Sequence, residues 1–117
     1  MRSEVTELAF GDIVLVPFPF TDQSDTKRRP AVVISSSDYN ERQADVILMP
    51  VTSQLRAGAR PLDVIIESWK FAGLFKPSAV KPVIATLEQA LVIGRLGAIE
   101  PTDRKCWTLL LKKMLSE

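Results

Sequence analysis

Three consecutive cations, Lys27, Arg28 and Arg29, stand directly before Pro30 and the apolar run Ala31 to Ser35. A proline fixes its own φ and biases the preceding residue to extended backbone, so Arg29 is braced. A guanidinium held in this way presents a planar fork of N–H donors, matched to two oxygens of a phosphate. The plain alternative is a solvated loop in which Asp22 and Asp25 balance the three cations. Thr52, Ser53 and Gln54 follow the run Asp45 to Met49 and Pro50. A hydroxyl at such a strand exit is placed to donate to an oxyanion, although Ser and Thr are also frequent in simple turns. Ser78 and Lys81, separated by two apolar residues, read as a further polar pair. Trp69, next to Lys70, offers a ring on which a base could stack; partial burial in the core is the commoner use of such a residue.

Composition limits what these residues can do. The chain has 117 residues, 46% of them hydrophobic and 25% charged, which suits one folded domain spanning residues 1–117. It contains no histidine and a single cysteine, Cys106. A His-dependent Ser or Cys nucleophile, a His-based or Cys-rich metal site and an internal disulfide are therefore all excluded. The formal net charge of +1 provides no global field for a polyanion, so such a partner must be bound by local clusters. No stretch reaches the roughly 18 apolar residues of a membrane span. The polar N-terminus does not resemble a signal peptide. The expected location is the cytoplasm, without a membrane association.

The elements that must position these side chains are mostly short strands. Ile13 to Val16 is a β-branched run after the turn signal Gly11-Asp12, broken by Pro17 and Pro19. Thr21 to Lys27 reads as an exposed loop, and Ala31 to Ser35 as a central buried strand. A brief helical turn fits Ser36 to Asn40. A third strand, Asp45 to Met49, ends at Pro50, and a polar loop from Leu55 to Arg60 leads to a fourth around Asp63 to Glu67. Gly73-Leu74-Phe75 marks a turn, and Pro77 to Lys81 a strand interrupted by Pro82. Ile84 to Leu87 and Leu91 to Leu96 complete the set. Pro101 suits the first position of a final helix, on which Trp107, Leu110, Leu111, Met114 and Leu115 form one apolar stripe. Short strands followed by one helix predict a mainly β fold, a small barrel with a C-terminal helix.

Taken together, Gly11-Asp12-Ile13-Val14, Arg29-Pro30-Ala31-Val32-Val33-Ile34-Ser35, Pro50-Val51-Thr52-Ser53, Gly73-Leu74-Phe75-Lys76-Pro77-Ser78-Ala79-Val80-Lys81, Leu87 and Ile93-Gly94-Arg95-Leu96 resemble the PemK/MazF toxins in order and spacing. The resemblance runs from about Gly11 to the last helix, and Arg29 to Val33 is its most specific block. It implies an SH3-like barrel, a homodimer, and a metal-independent endoribonuclease that needs no cofactor, cuts single-stranded RNA and is blocked by a cognate antitoxin. By position, Arg29 and Thr52 match the catalytic residues of the family. Arg28 falls where some members have histidine, and Ser78 where others have an acidic residue. Lys27, Arg28, Ser53, Gln54, Ser78 and Lys81 are the expected RNA-binding residues, with Asp22 and Asp25 as acid/base candidates. Two other functions fit the same fold: a non-catalytic module that binds RNA or protein, and a CcdB-like gyrase inhibitor. The second is disfavoured because the chain ends Met114-Leu115-Ser116-Glu117, without a C-terminal aromatic residue.

Overall fold

The computed structural model describes residues 7–18, 27–55 and 62–116. Seven strands form one curled antiparallel sheet: β1 (Asp12–Phe18), β2 (Lys27–Val33), β3 (Asp45–Thr52), β4 (Val64–Ile66), β5 (Ser78–Val80), β6 (Ala85–Glu88) and β7 (Gly94–Ala98). The order across the sheet is β4-β5-β3-β2-β1-β7, and β6 pairs with β3. Among the described residues, the α-helices α1 (Ser37–Arg42) and α2 (Pro101–Leu115) and a 3-10 turn at Gln89–Leu91 accompany the sheet. The result is a half-barrel with a C-terminal helix, in agreement with the expected small barrel.

β3 is the hinge of this curl. Its first residues pair with β6, from Asp45↔Glu88 to Leu48↔Ala85. Its middle pairs with β2, and its end with β5, as Val51↔Val80 and Thr52↔Ala79. Strand alternation sends Val46 and Leu48 into one apolar cluster, with Val14, Val16, Ala31 and Val33. Met49 and Val51 enter the other, with Ile13, Val32 and Trp107.

Several strand boundaries depart from expectation: β2 stops at Val33, short of Ser35, and the run expected as a strand from Leu91 begins in a 3-10 turn, Gln89–Leu91, before β7. β1 continues through Pro17, and β3 through Pro50. Pro50 lacks a donor, but its carbonyl accepts from Lys81 N at 2.9 Å. Its donor-free side therefore faces the end of β5, where that ladder is already closing. Lys27, expected as the end of a loop, opens β2 with Arg28 and Arg29, and all three pair with β1. The short helix has a simple local cause: Ser36 caps it by accepting from Tyr39 N at 3.1 Å.

Helix α2 starts at Pro101, as its sequence requires, and buries Trp107, Leu110 and Leu111 against the sheet. Trp107 is fully buried and stacks on Phe10 with ring centroids 4.6 Å apart. Leu115, expected on the same stripe, is 66% exposed: it is the last residue of α2, beyond the core that Trp107 anchors. Trp69 is half-buried and packs on the core, with the Lys70 ammonium 5.5 Å from its ring centroid.

One turn is fixed with unusual firmness. The buried Asp103 of α2 accepts from Glu67 N and Ser68 N, both at 2.9 Å, through its two carboxylate oxygens. Further along, Gly73 and Gly97 bring the turn and β7 into backbone contact. A Cβ on Gly73 would collide with the Leu96 carbonyl, and one on Gly97 with that of Ala72. Gly73 also has φ +93, a conformation that favours glycine.

Candidate functional site

β2 positions the basic cluster by simple alternation. Arg29 lies on the face of Ala31 and Val33, and Arg28 on the face of Pro30 and Val32. Opposite them on β1 are Val16 and Pro17. The β2–β3 ladder runs inward from Ala31↔Pro50. Carried two residues outward on each strand, the same register sets Arg29 level with Thr52, on the same face of the sheet. Beyond Pro50, β3 takes its pairs from β5 instead of β2. Pro30 cannot donate an N–H at this point, which favours the parting of the two strands.

A cleft of about 350 Å³ opens where they part. Arg29, Thr52, Gln54 and Lys81 supply its polar lining, and Pro50, Val51 and Val83 its apolar walls. Thr52 Oγ1 accepts from Gln54 N at 3.1 Å, which leaves the hydroxyl proton to be donated into the cleft. Lys81 is anchored through its own N–H to Pro50 O. Among the described residues, Lys27, Arg28, Arg29 and Lys81 have no carboxylate at ion-pair distance. Donors converging in this way on a partly apolar pocket are an arrangement that can hold an anion.

A second cleft, of about 310 Å³, adjoins the first and shares Arg29 and Val51 with it. Arg28, Ser53 and Ser78 line it, together with Phe75, Lys76 and Leu74. Ser78 is only 3% exposed and donates its hydroxyl proton to Lys76 O at 2.8 Å. Towards a ligand it retains only acceptor capacity.

Ser78 and Lys81 therefore do not act as a pair. Three residues apart on extended backbone, they face opposite sides of the sheet and line different clefts. Lys27 is exposed and lines neither cleft. Asp22 and Asp25 lie outside the described residues. Among the described residues, neither cleft is lined by a carboxylate. At Tyr39, desolvation first, then the Asp45 carboxylate to which it donates at 3.2 Å, raise the phenol pKa above the ordinary value. Asp45 begins β3 and Thr52 ends it, so this pair is remote from the clefts.

Sequence reasoning missed Phe75, Lys76 and Val83 as lining residues. An aromatic residue followed by a lysine within a turn was the available signal for the first two. Val83 follows the Pro82 interruption and carries no chemical signature of its own.

This fold and site define a class. The family model for PemK-like, MazF-like toxins of type II toxin–antitoxin systems matches residues 9–115, and the chain belongs to that family. Solved structures agree on the fold. An endoribonuclease from a mycobacterial species is 17% identical, with a TM-score of 0.72 over 97% of this chain and 95% of that one. A mycobacterial endoribonuclease in complex with its cognate antitoxin is 16% identical, with a TM-score of 0.71 over 93% of both chains. MazF from Deinococcus radiodurans is 23% identical, with a TM-score of 0.68 over 92% and 94%. A search of curated protein sequences gave no significant match. Among the described residues, no helix is long and apolar enough to cross a membrane.

Proposed function

We propose that this protein is an endoribonuclease toxin that cuts single-stranded RNA by attack of the RNA's own 2′-hydroxyl. The observation that carries this is the cleft that Arg29 of β2 and Thr52 of β3 share, with Lys81 on its wall. A phosphodiester seated there would meet the guanidinium fork of Arg29, the free hydroxyl proton of Thr52 and the ammonium of Lys81. Attack forms a bond from the 2′-oxygen to phosphorus and breaks the bond to the 5′-oxygen. The products are a 2′,3′-cyclic phosphate and a 5′-hydroxyl, and the 2′-proton is balanced by one gained at the leaving oxygen. A preorganised donor aimed at charge developing on the phosphate is worth about 10²–10³ in rate.

Arginine is a poor proton donor at neutral pH, with a pKa above about 12. The acid and base must then be a carboxylate, a perturbed lysine or water, and Asp22 and Asp25 are the proposed carboxylates. Lys27, Arg28, Ser53, Gln54 and Ser78 are the proposed contacts to the rest of the strand. Two relatives support the wider setting, since one is an endoribonuclease crystallised with its antitoxin and another a MazF crystallised with MazE. The protein would work in the cytoplasm as a homodimer, without metal or cofactor, until a cognate antitoxin covers the cationic clefts.

Purified protein incubated with mixed-sequence RNA in EDTA tests this. Cleavage by wild type and its loss in Arg29→Ala are expected; no cleavage, or equal cleavage by both, would refute it. Among the described residues, the absence of a carboxylate from both cleft linings favours one rival, a module that binds RNA without turnover. RNA binding without cleavage, unchanged in Thr52→Ala, would establish the rival.

A further inference from the structure

Phe75 is 83% exposed, yet the backbone that carries it is tied down on both sides. Leu74 on one side is buried, and its N–H donates to Trp69 O at 3.0 Å. The turn behind it is tied to α2 by Asp103 and pressed against β7 at Gly73 and Gly97. On the other side, Ser78 Oγ bonds to Lys76 O. A large apolar ring is thus held out to solvent by a turn that cannot fold it inward, beside two cations, Arg28 and Lys76, in the second cleft.

We infer that Phe75 is a stacking platform for one nucleobase of the bound strand, adjacent to the phosphate seated at Arg29. This inference rests on the endoribonuclease proposal and extends it to a second nucleotide subsite. The cleft beside Phe75 shares Arg29 and Val51 with the first, so a strand crossing Arg29 continues into it without a break. Arg28 and Lys76 supply positive charge for the next phosphate, and Ser78 offers an acceptor on the wall. Every base has a π-face, so stacking supplies affinity at this position while the hydroxyls of Ser53 and Ser78 distinguish base edges. A backbone already fixed in place lowers the entropy lost when a base packs on the ring it carries.

The test is a binding cycle with 2′-O-methyl RNA hexanucleotides, which cannot be cleaved by 2′-hydroxyl attack. Each position is replaced in turn by an abasic residue, and wild type is compared with Phe75→Ala, Phe75→Leu and Phe75→Trp. For wild type, one abasic position is expected to weaken binding by roughly 5- to 100-fold, the range of single-base stacking contacts. Phe75→Ala should lose affinity for the intact strand by a similar factor and no longer sense that abasic position, which marks direct coupling. Phe75→Trp should restore the effect, and Phe75→Leu should not. Full affinity in Phe75→Ala, with cleavage retained, overturns the stacking role and leaves the nuclease proposal standing. Absence of RNA cleavage by wild type defeats the nuclease proposal, while the hexanucleotide cycle still reports on stacking. A Phe75→Ala variant that loses only self-association or antitoxin binding assigns the ring to a protein contact and overturns the inference.

Discussion

Arg28 and Arg29 are neighbours on β2, yet they face opposite sides of the sheet. Arg28 lines only the cleft with Ser53 and Ser78, whereas Arg29 also lines the one with Thr52 and Lys81. Their roles should separate in kinetics. Arg29→Ala is expected to lower kcat by about 10²–10³ with a smaller change in KM. Arg28→Ala should instead raise KM about tenfold or more, the scale of a hydrogen bond to a charged group, with kcat largely kept. Steady-state cleavage of one defined RNA by both variants checks this, and equal losses of kcat would contradict it.

Thr52 accepts from Gln54 N and keeps its proton for the substrate. Thr52→Val preserves shape and removes the hydroxyl, and it is expected to reduce kcat/KM by about 10- to 100-fold. Thr52→Ser should retain most activity. If Val and Ser variants behave alike, the threonine serves the turn and not the phosphate.

Much of this was legible from residue order. Pro101 and the Trp107 stripe locate α2, and the Arg29-Pro30 and Pro50-Val51-Thr52 blocks bring the two site residues onto partner strands. Proline was the main source of error. Pro17 and Pro50 read as strand ends because proline lacks a donor, but each occupies a ladder position where β-structure continues. The pairing of Ser78 with Lys81 failed because sequence proximity conceals which face of a strand a residue occupies. Phe75 passed unnoticed because its exposure depends on the distant Asp103, Gly73 and Gly97, which fix the turn in three dimensions.

Asp103 satisfies two backbone donors at the start of that turn. Asp103→Ala leaves both without their partner in a part-buried setting, and it should destabilise the fold by about 2–5 kcal/mol. Asp103→Asn, with one acceptor oxygen, should recover part of the loss. The urea unfolding midpoint measures both, and an unchanged midpoint in Asp103→Ala would refute the clamp.

Tyr39 gives a pH signature in alkali. Its folded-state pKa is raised, by desolvation first and Asp45 second, so folding favours the protonated phenol. The resulting stabilisation is complete below the unfolded-state pKa of about 10 and is lost as pH rises through the folded-state value. Stability of wild type should therefore fall more steeply than that of Tyr39→Phe above about pH 10. Because Tyr39 is the only tyrosine, its phenolate absorbance follows the same titration directly.

The central claim, that Arg29 and Thr52 hold a phosphate attacked by the neighbouring 2′-hydroxyl, is tested most directly with a defined RNA. After the cleavage site is mapped, a matching oligonucleotide carries a single 2′-deoxy substitution at the nucleotide before the scissile phosphate. The predicted result is cleavage of the all-ribose strand in EDTA, with 5′-hydroxyl and 2′,3′-cyclic phosphate ends, and none of the substituted strand despite equal binding. Cleavage of the 2′-deoxy strand at that phosphate would contradict the account.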